Sequence, residues 1–401
     1  MEMAGLENRK LEEAVALFRA RDLNGAARLC DEILQRYPRH PRALHLLGTL
    51  RMMTGNPATA AQLFERALEA NDRDPALWEN LGLSHLMAGN AVQGEAALRR
   101  AIAMDGSNGL QHMRLGLSLS SQGRHEEALS AMQAAAALSP ADPDVCLNLG
   151  NTLAELGRQE DALAAFARVL ELQPGHAVAQ YNIGNVYRMT GRLDEAVAAF
   201  LKALAITPDD ADTHNNLGIV YERQQRLDDA IASFKRALEI NPGLLPAQNN
   251  LGNALFARGR VDEAVSCFNA AIGRNPSHPD AYVHLGNARA AAGADEEAIS
   301  LYEQALQRGP KHFEAHCNLG RLYFRQGSLE QAAEYYRAAL VAAPDRAFAR
   351  VELANVYRTA GDLAAAIAEY RAAVELDPLN ADARHGLSEV RKLLGGDPAR
   401  R

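Results

Sequence analysis

The sequence predicts an all-α solenoid of about eleven 34-residue helix-turn-helix units plus a C-terminal capping helix. Three periodic series carry that expectation. Glycine recurs at Gly48, Gly82, Gly116, Gly150, Gly184, Gly218, Gly252, Gly286 and Gly320, always 34 residues apart. A second glycine series follows seven residues behind, at Gly55, Gly89, Gly123, Gly157, Gly191, Gly259, Gly293, Gly327 and Gly361, skipping only Gln225. Proline keeps the same period at Pro38, Pro140, Pro174, Pro208, Pro242, Pro276, Pro310, Pro344 and Pro378. A fixed period between about 20 and 50 residues marks a repeat architecture and overrides a domain count based on length.

The frame starts at Glu7 and runs to residue 380 without insertion or deletion. Its units begin at 7, 41, 75, 109, 143, 177, 211, 245, 279, 313 and 347. In the unit 177–210, a first helix is expected over Ala177 to Met189 and a second over Leu193 to Ile206. Gly191 lies between them, where a helix C-cap in the left-handed region favours glycine. Gly184 inside the first helix costs about 1 kcal/mol against alanine. That cost makes sense if the second helix packs against the spot and leaves no room for a side chain. Ala196 is the expected small partner, with Phe200 and Ala203 further along the same stripe. Pro208 stops the second helix after its end. Pro41, Pro75, Pro143, Pro246 and Pro279 stand at first-helix starts and Pro57 at a second-helix start, where proline is tolerated.

The first unit, 7–40, is degenerate, with Ala14 and Arg21 at the two glycine positions. Residues 1–6 read as an N-terminal extension. Residues 381–394 read as a capping helix that covers the last apolar surface, with Arg384, His385, Glu389, Arg391 and Lys392 facing water. Residues 395–401 read as a disordered tail.

Composition narrows the function classes. Hydrophobic residues make up 48 % of the chain, too many for a disordered one. No run approaches the roughly 18 apolar residues of a membrane span. The start lacks the apolar segment of a secretory signal, and four cysteines do not make a disulfide framework. A cytoplasmic location is therefore expected. The net charge of −8 argues against nucleic-acid binding by bulk positive charge.

These residues closely resemble the tetratricopeptide repeat family, over about 93 % of the chain. The resemblance implies a right-handed superhelix whose first helices line a concave groove. One departure is general: the large aromatic of the early first helix appears only as Trp78 and Tyr282. Its place is otherwise taken by Leu44, His112, Cys146, Gln180, His214, Gln248, His316 and Arg350.

No catalytic residue, metal site or cofactor is assigned. The adjacent acids Glu126 and Glu127, Asp194 and Glu195, Asp228 and Asp229, and Asp262 and Glu263 fall at second-helix starts, where they complement the helix dipole. His312, His316 and Cys317 have a metal-like spacing but no third and fourth partner. Cys30, Cys146, Cys267 and Cys317 read as buried thiols.

Function is then expected on the groove. The resemblance places its floor at positions 2, 5, 6, 9, 12 and 13 of each unit. Positions 6 and 9 share a helix face. They read Asn148 and Asn151, Asn182 and Asn185, Asn250 and Asn253, with single members Asn80, Asn216, Asn287, Asn318 and Asn355. An amide donates and accepts, so this ladder suits the backbone of an extended peptide. Bonding among neighbouring turns and water is the alternative. Such a ladder also resembles the substrate-selecting arm of O-linked N-acetylglucosamine transferases, whose glycosyltransferase region has no counterpart here. Position 5 carries no lysine or arginine, so the carboxylate clamp of three-unit chaperone adaptors is not expected. Arg321 and Arg325, one turn apart, suit an acidic segment. Met52, Met53, Leu83 and Met87 form an apolar N-terminal part of the floor, suited to a partner helix or to self-assembly. The expected role is a scaffold for protein or peptide segments. The alternatives are an arm of a glycosyltransferase separated from its catalytic region and a homo-oligomeric platform.

Overall fold

A computed structural model describes residues 2–395 of the chain, and the side chains of residues 8–394. The described residues form 23 α-helices and no strand, which is eleven pairs and one closing helix. They gather into two compact units, one ending at Pro208 and one beginning at Asp209.

The first unit holds α1 (Glu2–Arg19), α2 (Leu23–Arg36), α3 (Pro41–Met53), α4 (Pro57–Leu68), α5 (Pro75–Met87), α6 (Ala91–Met104), α7 (Gly109–Ser121), α8 (His125–Leu138), α9 (Pro143–Glu155), α10 (Gln159–Leu172), α11 (Ala177–Met189) and α12 (Leu193–Ile206). The second holds α13 (Ala211–Arg223), α14 (Leu227–Ile240), α15 (Leu245–Ala257), α16 (Val261–Arg274), α17 (Pro279–Ala291), α18 (Asp295–Arg308), α19 (Phe313–Arg325), α20 (Leu329–Ala342), α21 (Ala347–Ala360), α22 (Leu363–Leu376) and α23 (Ala381–Gly395). Each odd-numbered helix before α23 packs on the even-numbered helix after it. Within each unit that helix packs on the next pair. First helices of successive pairs also touch, as α3 does α5 and as α17 does both α15 and α19.

The turns explain the second glycine series. From Gly55 to Gly361 every member has φ between 73° and 85°. Two non-glycine residues adopt the same left-handed conformation at the same frame position, Gln225 (φ 60°) and Arg21 (φ 64°). The first series has a different cause. A Cβ built on Gly184 would lie 2.6 Å from Cε1 of Phe200, and one on Gly252 would lie 2.4 Å from Cε1 of Phe268. The aromatic ring of the second helix, rather than the small Ala196, closes that space. Ala196 is itself fully buried beside it. The degenerate first pair obeys the same volume rule. Cys30 stands where later pairs have a ring or, at Leu98 and Met132, a large aliphatic side chain, and Ala14 stands where they have glycine; both are fully buried.

Helix starts follow the predicted chemistry with one addition. Pro41, Pro57, Pro75, Pro143 and Pro279 are first residues of their helices, and Pro246 is the second of α15. Asp74, Asn108 and Asp142 cap first helices with their carboxylate or amide oxygens. His40, His176 and His312 do so with Nδ1. Second helices often begin after an arginine that folds onto the third helical residue: Arg158 to Asp161, Arg192 to Glu195, Arg226 to Asp229 and Arg260 to Glu263. The second acid of each pair thus serves an ion pair as well as the helix dipole.

At the N-terminus the expected extension differs from what is found, because α1 already begins at Glu2. A helix propagates into residues that favour it once a nucleus exists, and the one poor helix former between Glu2 and Glu7, Gly5, does not stop it. At the other end α23 runs to Gly395, so the expected tail is helical at its first residue. Residues 396–401 lie outside the described residues. Ala383, Gly386 and Val390 of α23 are buried, with Gly386 against the Tyr370 ring. Among the described residues no helix is long and apolar enough to cross a membrane.

Candidate interaction face on the first helices

Several touching first helices are stitched by a side chain at frame position 6 that reaches back to position 5 or 9 of the preceding pair. In the first unit, Asn80 Nδ2 lies 2.9 Å from His45 Nε2. Burial pushes the His45 imidazole pKa down, so its neutral ring accepts from the amide. The next rung is ionic: Arg114 pairs with Glu79, and Gln111 Nε2 donates to the same carboxylate at 2.8 Å. Asn148 Nδ2 donates to the Asp144 carbonyl at 2.8 Å and lies 3.5 Å from Met113 Sδ. Asn182 Nδ2 donates to Asn151 Oδ1 at 2.8 Å. Asn185 Oδ1 accepts from Arg188 at 3.4 Å.

The second unit repeats the device. Asn250 Nδ2 donates to Asn215 Oδ1 at 3.0 Å, and Asn318 Nδ2 donates to Asn287 Oδ1 at 2.8 Å. Asn287 Oδ1 also accepts from the Tyr302 hydroxyl at 2.7 Å, as Asn355 Oδ1 does from Tyr370 at 2.5 Å. Asn216 and Asn253 are half-buried on the same helices. The rungs therefore have two spacings, 35 residues (Asn215 to Asn250) and 31 residues (Asn287 to Asn318). The ionic rung of Glu79 and Arg114 and the rung acceptor Asn215 were missed by sequence reasoning. Aligning positions 5, 6 and 9 at those spacings would have found them.

Arg325 is engaged by Asp295 at the neighbouring second-helix start. Arg321 is exposed and donates to Asn318 Oδ1 at 3.1 Å. Both line an open cleft of about 750 Å³ with Phe256, Phe313, Phe348 and Glu314. A second cleft, of about 450 Å³, lies between α15 and α17. Asn249, Asn253, Asn275, Asp280 and His284 line it. At the N-terminal end Met53 and Met87 are exposed, at 58 % and 53 %, on the touching helices α3 and α5. Leu83 and Met52 are half-buried, and Met52 Sδ accepts from the Ser84 hydroxyl at 3.0 Å. Met52 thus belongs partly to the packing between repeats.

The metal-like trio is dispersed by its bonds. His312 caps α19 and its Nε2 donates to Asp280 at 2.8 Å. His316 bonds the Pro310 carbonyl at 3.0 Å through Nε2, as Trp78 and Tyr282 bond turn carbonyls six residues back. His316 is half-buried rather than a core residue. Among the described residues no three His, Cys, Asp or Glu side chains gather as a metal would need. Burial pushes the Cys30 and Cys317 thiols up to about 12, and raises Cys146 and Cys267 as well.

Helix pairs on a constant frame, joined rung by rung, define a helical-repeat protein. Sequence models described as tetratricopeptide repeat match residues 17–81, 80–143, 141–209, 175–242, 249–312 and 296–347, and one described as TPR repeat matches 354–395. The chain belongs to the tetratricopeptide repeat family. Its fold is similar to yeast Tom70, at 14 % identity over 98 % of this chain and 96 % of that one, with a TM-score of 0.52. It is also similar to the APC/C hetero-tetramer Cut9–Hcn1, at 14 % identity over 96 % of each chain, with a TM-score of 0.50. YrrB, described as a TPR protein with an unusual peptide-binding site, is similar at 30 % identity. That match covers 47 % of this chain and 96 % of YrrB, with a TM-score of 0.40. No curated protein matches the chain.

Proposed function

We propose that the chain is a non-enzymatic scaffold that binds polypeptide segments on its first-helix face. The observation that carries this reading is the cleft of about 750 Å³ on α15, α17, α19 and α21. It combines the three chemistries an extended peptide needs. Phe256, Phe313 and Phe348 offer apolar anchorage. Phe348 is 54 % exposed on a helix whose other large apolar side chains are buried or half-buried. Asn287 and Asn318 offer amide groups for a peptide backbone. Arg321 offers a guanidinium for a carboxylate. Bonding between neighbours does not remove the amides from this role. Asn287, whose Oδ1 accepts from both Asn318 and Tyr302, keeps its N–H donors for a ligand, and Asn318 keeps one N–H and one lone pair.

The test is selection of displayed random dodecapeptides on the intact chain and on Phe348→Asp. Both substituted and parent proteins should show the same far-UV circular dichroism, because Phe348 is outside the core. Peptides enriched on the parent chain should be lost on the variant. Equal retention would place peptide binding elsewhere and overturn this reading of the face.

A further inference from the structure

The cleft between α15 and α17 interrupts the rung series, and the interruption has a chemistry. The 35-residue spacing that joins Asn215 to Asn250 would join Asn249 to His284. Instead the His284 ring lies over Phe268, with centroids 5.5 Å apart and planes 26° apart. Burial lowers the His284 pKa, so the ring adds no positive charge to the cleft. Asn249 Oδ1 is left buried with no hydrogen-bond partner among the described residues. An orphaned acceptor of this kind costs about 1–3 kcal/mol unless a donor reaches it. Asp280 also lines the cleft, and no lysine or arginine does. The Asp280 carboxylate accepts from His312 Nε2 at 2.8 Å through Oδ1, while His278 Nδ1 stands at 3.6 Å from Oδ2. Asn250 donates its own amide to Asn215, which leaves its Oδ1 as a further acceptor on the cleft wall. The site is thus rich in acceptors, has one formal negative charge and lacks a cation.

We propose that this cleft is a socket for a basic side chain, lysine or arginine, of the bound polypeptide segment. The inference rests on the first-helix face being a peptide-binding surface and names what that surface selects. The adjoining cleft supplies the second half of the preference. It shares α17 with the socket and presents Arg321, which no carboxylate holds in an ion pair among the described residues. Glu314 and the half-buried Glu352 lie near Arg321 without neutralising it in a direct pair. Neighbouring packed helices lie about 8–10 Å apart. An extended chain advances about 3.3 Å per residue. A site between α15 and α17 lies one to one and a half such spacings from α19, so the selected segment carries a basic residue and an acidic residue about three or four positions apart, the basic one over α15–α17 and the acidic one over α19.

The experiment starts from dodecapeptides selected on the intact chain. The expected result is enrichment of Lys or Arg two to four residues from Asp or Glu. In fluorescence anisotropy, replacing the selected lysine with norleucine keeps its four-carbon stem and removes its ammonium group. It should weaken binding about tenfold, in line with the strength of a charge-assisted hydrogen bond. Asn249→Leu or Asp280→Asn should weaken the lysine peptide by a similar factor and leave the norleucine peptide unchanged. Asp280→Asn keeps shape and circular dichroism if Asn249→Leu does not. Norleucine binding within twofold of lysine, or enrichment of an acid at that place, would overturn the socket. If peptides are then still lost on Phe348→Asp, only the socket fails. If the parent chain enriches no peptide, the peptide-binding face fails and the socket with it.

Discussion

Substituting Gly184 by alanine tests the packing rule that sets the whole frame. The new Cβ would stand 2.6, 2.7 and 3.0 Å from three atoms of the Phe200 ring. Carbon atoms in contact sit about 3.5–4.0 Å apart, so the ring must retreat by about 1 Å. Phe200 is fully buried and has no exposed side to retreat to. Overpacking of this kind costs about 1–3 kcal/mol. Alanine returns about 1 kcal/mol of helix propensity, leaving a net loss of up to about 2 kcal/mol. The native pair Ala14 and Cys30 shows what would reverse the sign. In a Phe200→Cys background, which alone leaves a cavity worth about 3–5 kcal/mol, Gly184→Ala should stabilise by about 1 kcal/mol. Urea titrations followed by circular dichroism would measure the four proteins. Repeat arrays unfold in parts, so hydrogen exchange across α11 and α12 should localise the effect. Gly184→Ala having the same sign in both backgrounds would refute the volume argument.

Two further outcomes follow from single residues. Gln225 holds φ at 60° without being glycine, which costs a side-chain-bearing residue about 1 kcal/mol. Gln225→Gly should therefore raise stability by up to about 1 kcal/mol, less the greater freedom of glycine in the unfolded chain. A loss of melting temperature would count against strain at that turn. Burial alone holds the Glu222 carboxyl above its ordinary range, so the folded chain binds that proton more tightly than the unfolded one. The resulting stability is complete below the unfolded pKa and is lost as pH rises through the folded pKa. Glu222→Gln should accordingly stabilise at about pH 7 and be neutral at about pH 4. A difference that does not change with pH would rule out the burial effect.

The fold was legible because its signals repeat. One glycine in a helix is ambiguous, but nine at equal spacing, each followed 16 residues later by a large side chain, describe a contact. Helix limits in the 177–210 unit, Ala177–Met189 and Leu193–Ile206, coincide with expectation because Gly191 and Pro208 punctuate them. The N-terminus was less legible, since the residues before Glu7 contain no periodic mark, and residues 2–6 simply belong to α1. Side-chain partners on the first-helix face were harder still. Asparagine at position 6 was visible, but its partner changes between position 5 and position 9, so no single spacing announces it. Glu79 and Arg114 escaped notice because they break the asparagine pattern while keeping its geometry.

That last substitution separates two roles that the asparagines combine. If the ladder existed only to present amides to a ligand, an ionic pair in its place would be out of register with the rest. It is in register: Arg114 occupies position 6, Glu79 occupies position 5, and both are largely buried against each other. Stitching between repeats is therefore common to every rung described, whatever its chemistry. Variation along the face then has to come from what a rung leaves over. Asn151 and Asn182 leave neutral amide valences, Glu79 and Arg114 neutralise each other, and Arg321 leaves a cation that an amide holds and no carboxylate pairs with among the described residues. Asn249 and His284 leave an acceptor with no partner among the described residues. The positions at which stitching is incomplete are thus where a bound chain gains most by supplying the missing group, since an unmet buried acceptor is costly until a donor arrives. On the proposed binding face, the irregular rungs are therefore the ones predicted to set specificity.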